Sequence, residues 1–193
     1  MIKFYTNREL SQKLNINLAR FKRWSREFLP PDPLGGMQSG YARQYSIDNA
    51  FTIYLGGHLV GELKYTIPQA NKILEDLKKW LRENDFYINT ENPGKTGNKA
   101  RALVKEYIIF ILQENDLATG SGKFSYRIRG IISNLTANNN EYGVREERYI
   151  EDYVPADKRN NHIVCEKMLK ITMLHRYFKT CVTQVDRLKT EDC

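Results

Sequence analysis

Residues 7–24, NRELSQKLNINLARFKRW, place apolar and small side chains where two short helices joined by a tight turn need them. Leu10, Leu14, Ile16, Phe21 and Trp24 fall on one side, and Ser11 is small enough for close helix contact. Asn15 stands where such a turn takes a left-handed residue, which Asn tolerates better than most side chains. Arg20, Lys22 and Arg23 are left outside. A cationic, solvent-facing second helix of this kind suits the major groove of DNA.

Working outward, Thr6 or Asn7 caps the first helix, which runs to Leu14, and Asn17 caps the second, which runs to about Phe28. Pro30-Pro31-Asp32-Pro33 stops the second helix. Gly35-Gly36 and Ser39-Gly40 bracket a short hairpin between Leu34 and Tyr45, which would project as a wing. Ser46 caps a third helix through about Gly56, and Thr66 caps a fourth through Asn84. Ile67, Ala70, Ile73, Leu74, Leu77 and Leu81 form the buried stripe of the fourth.

The polar stretch NTENPGKTGN, residues 89–98, marks a linker. Residues 99–115 read as a helix with Ala102, Leu103, Tyr107, Phe110 and Ile111 inward. Residues 124–135 are β-branched and aromatic, and Asn138-Asn139-Asn140 turns them into a return strand over residues 142–153. Glu146-Glu147-Arg148 inside that return suits a helix nearly as well. A last helix is read over residues 161–189 from the seam Val164, Lys167, Ile171, Leu174, Phe178, Cys181, Val185 and Leu188. Such a seam fits either pairing with a second copy or packing on the rest of its own chain.

Charge is unevenly distributed. Residues 1–82 hold 13 Lys/Arg against 7 Asp/Glu, whereas residues 83–193 are nearly balanced, at 17 against 16. The basic excess therefore lies with the helix-turn-helix, where it favours polyanions through phosphate contacts and counterion release. The longest apolar run, residues 107–112, is far below the roughly 18 residues of a membrane span. MIKFYTNREL at the start lacks the apolar run of a secretory signal, so a soluble cytoplasmic protein without membrane partners is expected. Cys165, Cys181 and Cys193 form no CxxC or Cys/His cluster and read as reduced thiols.

Four pieces occur in the order found in the winged helix-turn-helix domain of MerR-family transcription regulators, which residues 4–81 resemble. They are FYTNRELSQKLNI (residues 4–16), FKRWSREFLPPD (21–32), SGYARQYS (39–46) and LKYTIPQANKIL (63–74). The resemblance covers about the first 40% of the chain. It implies that Lys22 and Arg23 face the groove and that Tyr41 and Arg43 in the wing meet the sugar-phosphate backbone. Members of that family carry a long dimerisation helix directly after this domain, where residues 83–98 here are polar and turn-forming.

The other candidate chemistries are weaker. Gly94-Lys95-Thr96 lacks the glycine that a phosphate loop needs five residues earlier, and Gly122-Lys123 is followed by Phe124 instead of Ser or Thr. Glu146, Glu147, Glu151 and Asp152 are interspersed with Arg145 and Arg148, a salt-bridged surface more than a Mg²⁺ site. No catalytic residue, metal or cofactor is assigned.

The expected architecture is mainly α. It comprises a winged helix-turn-helix at 1–82, a linker at 83–98, and an α+β or mainly helical unit at 99–193 ending in a long helix. The expected function is sequence-specific binding of double-stranded DNA in transcription regulation, as a homodimer and not as an enzyme, with Asn17, Arg20, Lys22, Arg23, Arg26, Tyr41 and Arg43 at the DNA. The C-terminal unit would then dimerise the chain or take a small-molecule or protein effector. The alternatives are an excisionase-like or phage-type architectural DNA-binding protein, a nucleic-acid-processing enzyme using the Glu146–Asp152 cluster, and a protein-interaction module.

Overall fold

The computed structural model describes residues 4–31, 43–87, 104–115, 122–134, 146–154 and 162–183. Among them are five helices, a two-stranded ribbon and a four-stranded antiparallel sheet, so the chain is α+β and not mainly α. They fall into two compact units. The first holds the described residues up to Glu75 together with 174–183, and the second runs from Asp76 to Met173.

The first unit opens with β1 (Tyr5–Thr6) and α1 (Asn7–Lys13). Thr6 and Glu9 form a reciprocal capping box. The Thr6 amide donates to Glu9 Oε2 at 2.7 Å and the Glu9 amide to Thr6 Oγ1 at 3.3 Å. The turn after α1 closes with the Ile16 amide on the Ser11 carbonyl at 2.8 Å, and Asn15 takes φ 51°, as its side chain permits. α2 (Leu18–Phe28) follows, and its Phe21 is wholly buried along with Leu10 of α1. Ser11 and Ser25, both buried, satisfy their hydroxyls on the carbonyls of Arg8 and Lys22 within their own helices.

The chain returns through β2 (Gln44–Tyr45), paired antiparallel to β1 with Tyr45 opposite Tyr5, into α3 (Ile47–Gly61), which Ser46 caps through the Asn49 amide. Gly56 was expected to end this helix, yet α3 runs five residues further. Gly56 and Gly57 are interior residues there because aromatic rings of α2 rest on their backbone. A β-carbon on Gly56 would stand 2.6 Å from the Phe28 ring, and Trp24 covers Gly57 in the same way. α4 (Ile67–Glu83) begins, as expected, at a Thr66–Gln69 capping pair. Ala70, Ile73 and Leu74 of its first half join the buried set of this unit.

Two helices expected in the C-terminal half give way to strands. Residues 106–115 form β3 (Glu106–Asn115) and residues 162–169 form β6 (His162–Leu169); only after Lys170 does α5 (Ile171–Thr183) start. The physical reason for the first is that β3 is a central strand. Ile109 and Ile111 lie on one face and Phe110 and Leu112 on the other, so the polar alternation that betrays a strand is missing. For the second, a bulge intervenes. Gln113 pairs with Cys165 but Glu114 with Ile163, which leaves Val164 unpaired and breaks the period of two. The expected β-branched hairpin is present as β4 (Gly122–Asn134) and β5 (Glu146–Val154), paired from Tyr126↔Val154 to Asn134↔Glu146.

The strand order β5-β4-β3-β6 makes one Greek key, three consecutive strands with the fourth returning beside the first. One face packs inside the second unit. There Trp80 of α4 meets Tyr107 edge-on at 5.1 Å, and the buried Tyr126 hydroxyl donates to Asp76 at 2.9 Å. Gly130 lies on this face because a side chain would meet Ile150, Val104 and Tyr107 at 3.0–3.1 Å.

α5 is far shorter than the helix expected over 161–189: 13 described residues, under two heptads. Val164 and Lys167 of the expected seam are in β6, and residues 184–193 lie outside the described residues. What remains of the seam packs on its own chain, with Phe178 against Phe51 of α3 at 5.2 Å and against Tyr54 at 5.6 Å. Among the described residues no helix is long and apolar enough to cross a membrane.

Candidate DNA interface

The elements that position α2 all belong to the first unit. Its inner side, Phe21, Ser25 and Phe28, is buried, while Arg20, Lys22, Arg23 and Arg26 are all exposed. At 100° per residue, Lys22, Arg26, Ala19, Arg23 and Arg20 follow one another around the solvent arc, with Glu27 between the last two. Arg20 and Arg26 are about 9 Å apart along the axis. Among the described residues none of these four cations makes an ion pair or side-chain hydrogen bond. The helix thus presents an unneutralised cationic strip backed by a rigid core.

Asn17 sits at the N-terminal end of that strip. Its Oδ1 accepts from the amides of Ala19 at 2.9 Å and Arg20 at 3.2 Å, so the carbonyl end of the side chain is committed to capping α2. The far end of α2 is held by Asn71 of α4, whose Nδ2 donates to the Glu27 carbonyl at 3.2 Å. Sequence reasoning missed this tie. An Asn on a helix face 44 residues away carries no local signal.

Arg43 is half-buried and faces the protein as well as solvent. Its guanidinium donates to the Pro30 carbonyl at 2.6 Å and lies 5.5 Å from the Tyr45 ring centroid. It therefore ties the exit of α2 to the return strand β2. Residues 34–42 of the expected wing, Tyr41 among them, lie outside the described residues, as do Gly94-Lys95-Thr96 and most of the expected linker.

A second polar cluster of this unit lies between α3 and α5. Burial pushes the Tyr54 phenol up to about 12, with Tyr177, Cys181 and Glu62 adding to the effect. Burial also holds the His58 imidazole below its ordinary value, partly opposed by Glu62 one turn on. In the second unit, Glu151 and Asp152 of β5 point to opposite sheet faces. Glu151 is fixed by Arg129 at 2.7 Å, and that hydrogen bond lowers its carboxyl. Among the described residues no group of three His, Cys, Asp or Glu side chains could hold a metal ion.

Cys165 and Cys181 are free, half-buried thiols. Cys165 stands in β6 and Cys181 in α5. Comparison of the chain with family models, with curated proteins and with solved structures gives no match.

Proposed function

We propose that this chain binds double-stranded DNA sequence-specifically through α2 and acts in transcription regulation, in the manner of the winged helix-turn-helix regulators that its first 81 residues resemble. One observation carries the reading. Arg20, Lys22, Arg23 and Arg26 stand on the outer arc of the second helix of a helix-turn-helix, exposed and without partners among the described residues. Arg and Lys in that place donate to guanine N7 and O6 or to phosphates, each good base contact being worth roughly 1–3 kcal/mol of discrimination. Asn17 acts by shaping the start of the helix and Arg43 by tying the exit of α2 to β2. Glu151 and Asp152 of β5 lie on opposite sheet faces, which supports binding over a nuclease reading built on that pair.

The test is selection of bound fragments from a random duplex pool, followed by titration of the tightest at several salt concentrations. Lys22→Ala and Arg23→Ala should each weaken binding by about tenfold or more, and a lost phosphate contact should reduce the salt slope by about one. Affinity unchanged by both substitutions overturns the proposal. A footprint confined to a promoter spacer supports the regulator, whereas arrayed direct repeats would indicate an architectural role.

A further inference from the structure

The sheet of the second unit has one face packed and one face open. Alternation and register put Ile108, Phe110 and Leu112 of β3, Arg127 and Arg129 of β4, Tyr149, Glu151 and Tyr153 of β5, and Glu166 and Met168 of β6 on the open side. Tyr149 is 58% exposed and Tyr153 39% on the edge strand β5, and Met168 is 48% exposed on the opposite edge strand β6, while Leu112 between them is buried.

The cations of this face are already engaged. Arg127 pairs with Glu166 at 3.0 Å and lies 4.6 Å from the Phe110 ring centroid; Arg129 pairs with Glu151 at 2.7 Å and lies 4.5 Å from that of Tyr149. Lys123, Arg127 and Arg129 stand against Glu106, Glu114, Glu151 and Glu166, so the face carries no cationic excess. A polyanion is therefore not its natural ligand. Tyr, Phe, Met and Arg around closed ion pairs are the composition of a protein interface.

We infer that the open face of the β5-β4-β3-β6 sheet docks on the same face of a second copy of this chain. A near-neutral apolar face is complementary to its own copy, and a two-fold pairing needs no further partner. Four strands of about eight residues span a plane of roughly 500 Å², and side-chain relief raises its accessible area toward the ~600–1,000 Å² per partner of stable interfaces. The inference rests in part on the DNA-binding proposal, because a single head has few base contacts and reading a pseudo-palindromic site requires two. With what is described of the seam on α5 packed on α3, the sheet offers the apolar surface for that pairing.

Sedimentation equilibrium of the full chain tests this. The wild type should be a dimer at about 10 µM, and Tyr153→Glu and Met168→Glu should each weaken self-association by at least ~30-fold with unchanged circular dichroism. Met173→Glu, at an exposed position of α5, should leave the dimer intact. As a measurement independent of substitutions, nitration of Tyr149 and Tyr153 in the wild type should slow as protein concentration rises through the dimer range. A monomeric wild type, a dimer that persists in both sheet variants, or a monomer that binds oligothymidine with quenching of its tyrosines would each overturn the inference. Loss of duplex binding in Lys22→Ala with the dimer preserved separates the two proposals. A dimer broken by Met168→Glu in a protein without duplex affinity would uphold the pairing and refute the DNA reading.

Discussion

The indole of Trp24 lies on the backbone of Gly57, so close that a β-carbon there would stand 2.3 Å from its ring atoms Cε3 and Cζ3. The fit is tighter than that of Phe28 on Gly56, and together these two ring contacts seat α2 on α3. Gly57→Ala gains helix propensity worth up to ~1 kcal/mol but forces the ring off its seat. Overpacking of this kind costs about 1–3 kcal/mol, so a net loss is expected in urea denaturation, with weaker DNA binding in parallel. Gly61→Ala, where nothing lies within 4 Å, should instead stabilise by up to ~1 kcal/mol. Equal effects at the two glycines would contradict the account.

Asn15 and Asp85 end α1 and α4 in the left-handed region, at φ 51° and 61°, each closing a turn in which the next amide reaches back five residues. Asn15→Gly should be neutral or slightly stabilising, whereas Asn15→Val should cost about 1–2 kcal/mol. Chemical denaturation of the three proteins decides this, and equal stability of the Gly and Val variants would contradict the strain argument.

Two buried tyrosines differ in their hydroxyls. That of Tyr126 donates to Asp76, whereas that of Tyr45 has no partner among the described residues. Tyr126→Phe should cost about 1–3 kcal/mol, and Tyr45→Phe should be neutral or stabilising. The paired denaturation midpoints are the measurement.

His58 is held neutral by burial, with its folded pKa below the unfolded value of 6.5. As pH falls through 6.5 the unfolded chain takes up this proton first, so stability is lost from about pH 6.5 downward to the folded pKa and unaffected above it. The urea midpoint should fall between pH 7.5 and 5.5, and fall less in His58→Gln. An equal fall in both proteins would remove His58 as the cause.

The N-terminal helices were legible because their signals are local. Thr6, Asn17, Ser46 and Thr66 cap where oxygen-bearing side chains precede apolar periods, and Asn15 marks its own turn. The cations of α2 were legible for the same reason, since helical spacing alone puts them outside. β3 was not, because apolar side chains on both of its faces erase the alternation, and β6 was not, because its bulge and the apolar residues of α5 together imitate one long seam. The contact of Arg43 with the Pro30 carbonyl carries no local signal, since nothing in the sequence links the two residues. The continuation of α3 past Gly56 depends on rings that arrive from α2.

Residues 174–183 group with the N-terminal unit although the whole of the second unit, Asp76 to Met173, separates them from it in sequence. Phe178 supplies one wall of the pocket that shelters Phe51. Truncation after Tyr87 would therefore yield not an autonomous head but one with a hole in its side, and a nick anywhere in the sheet would leave both fragments clinging together. Domain dissection of this chain should begin from rejoined termini or a deleted sheet, not from a stop codon.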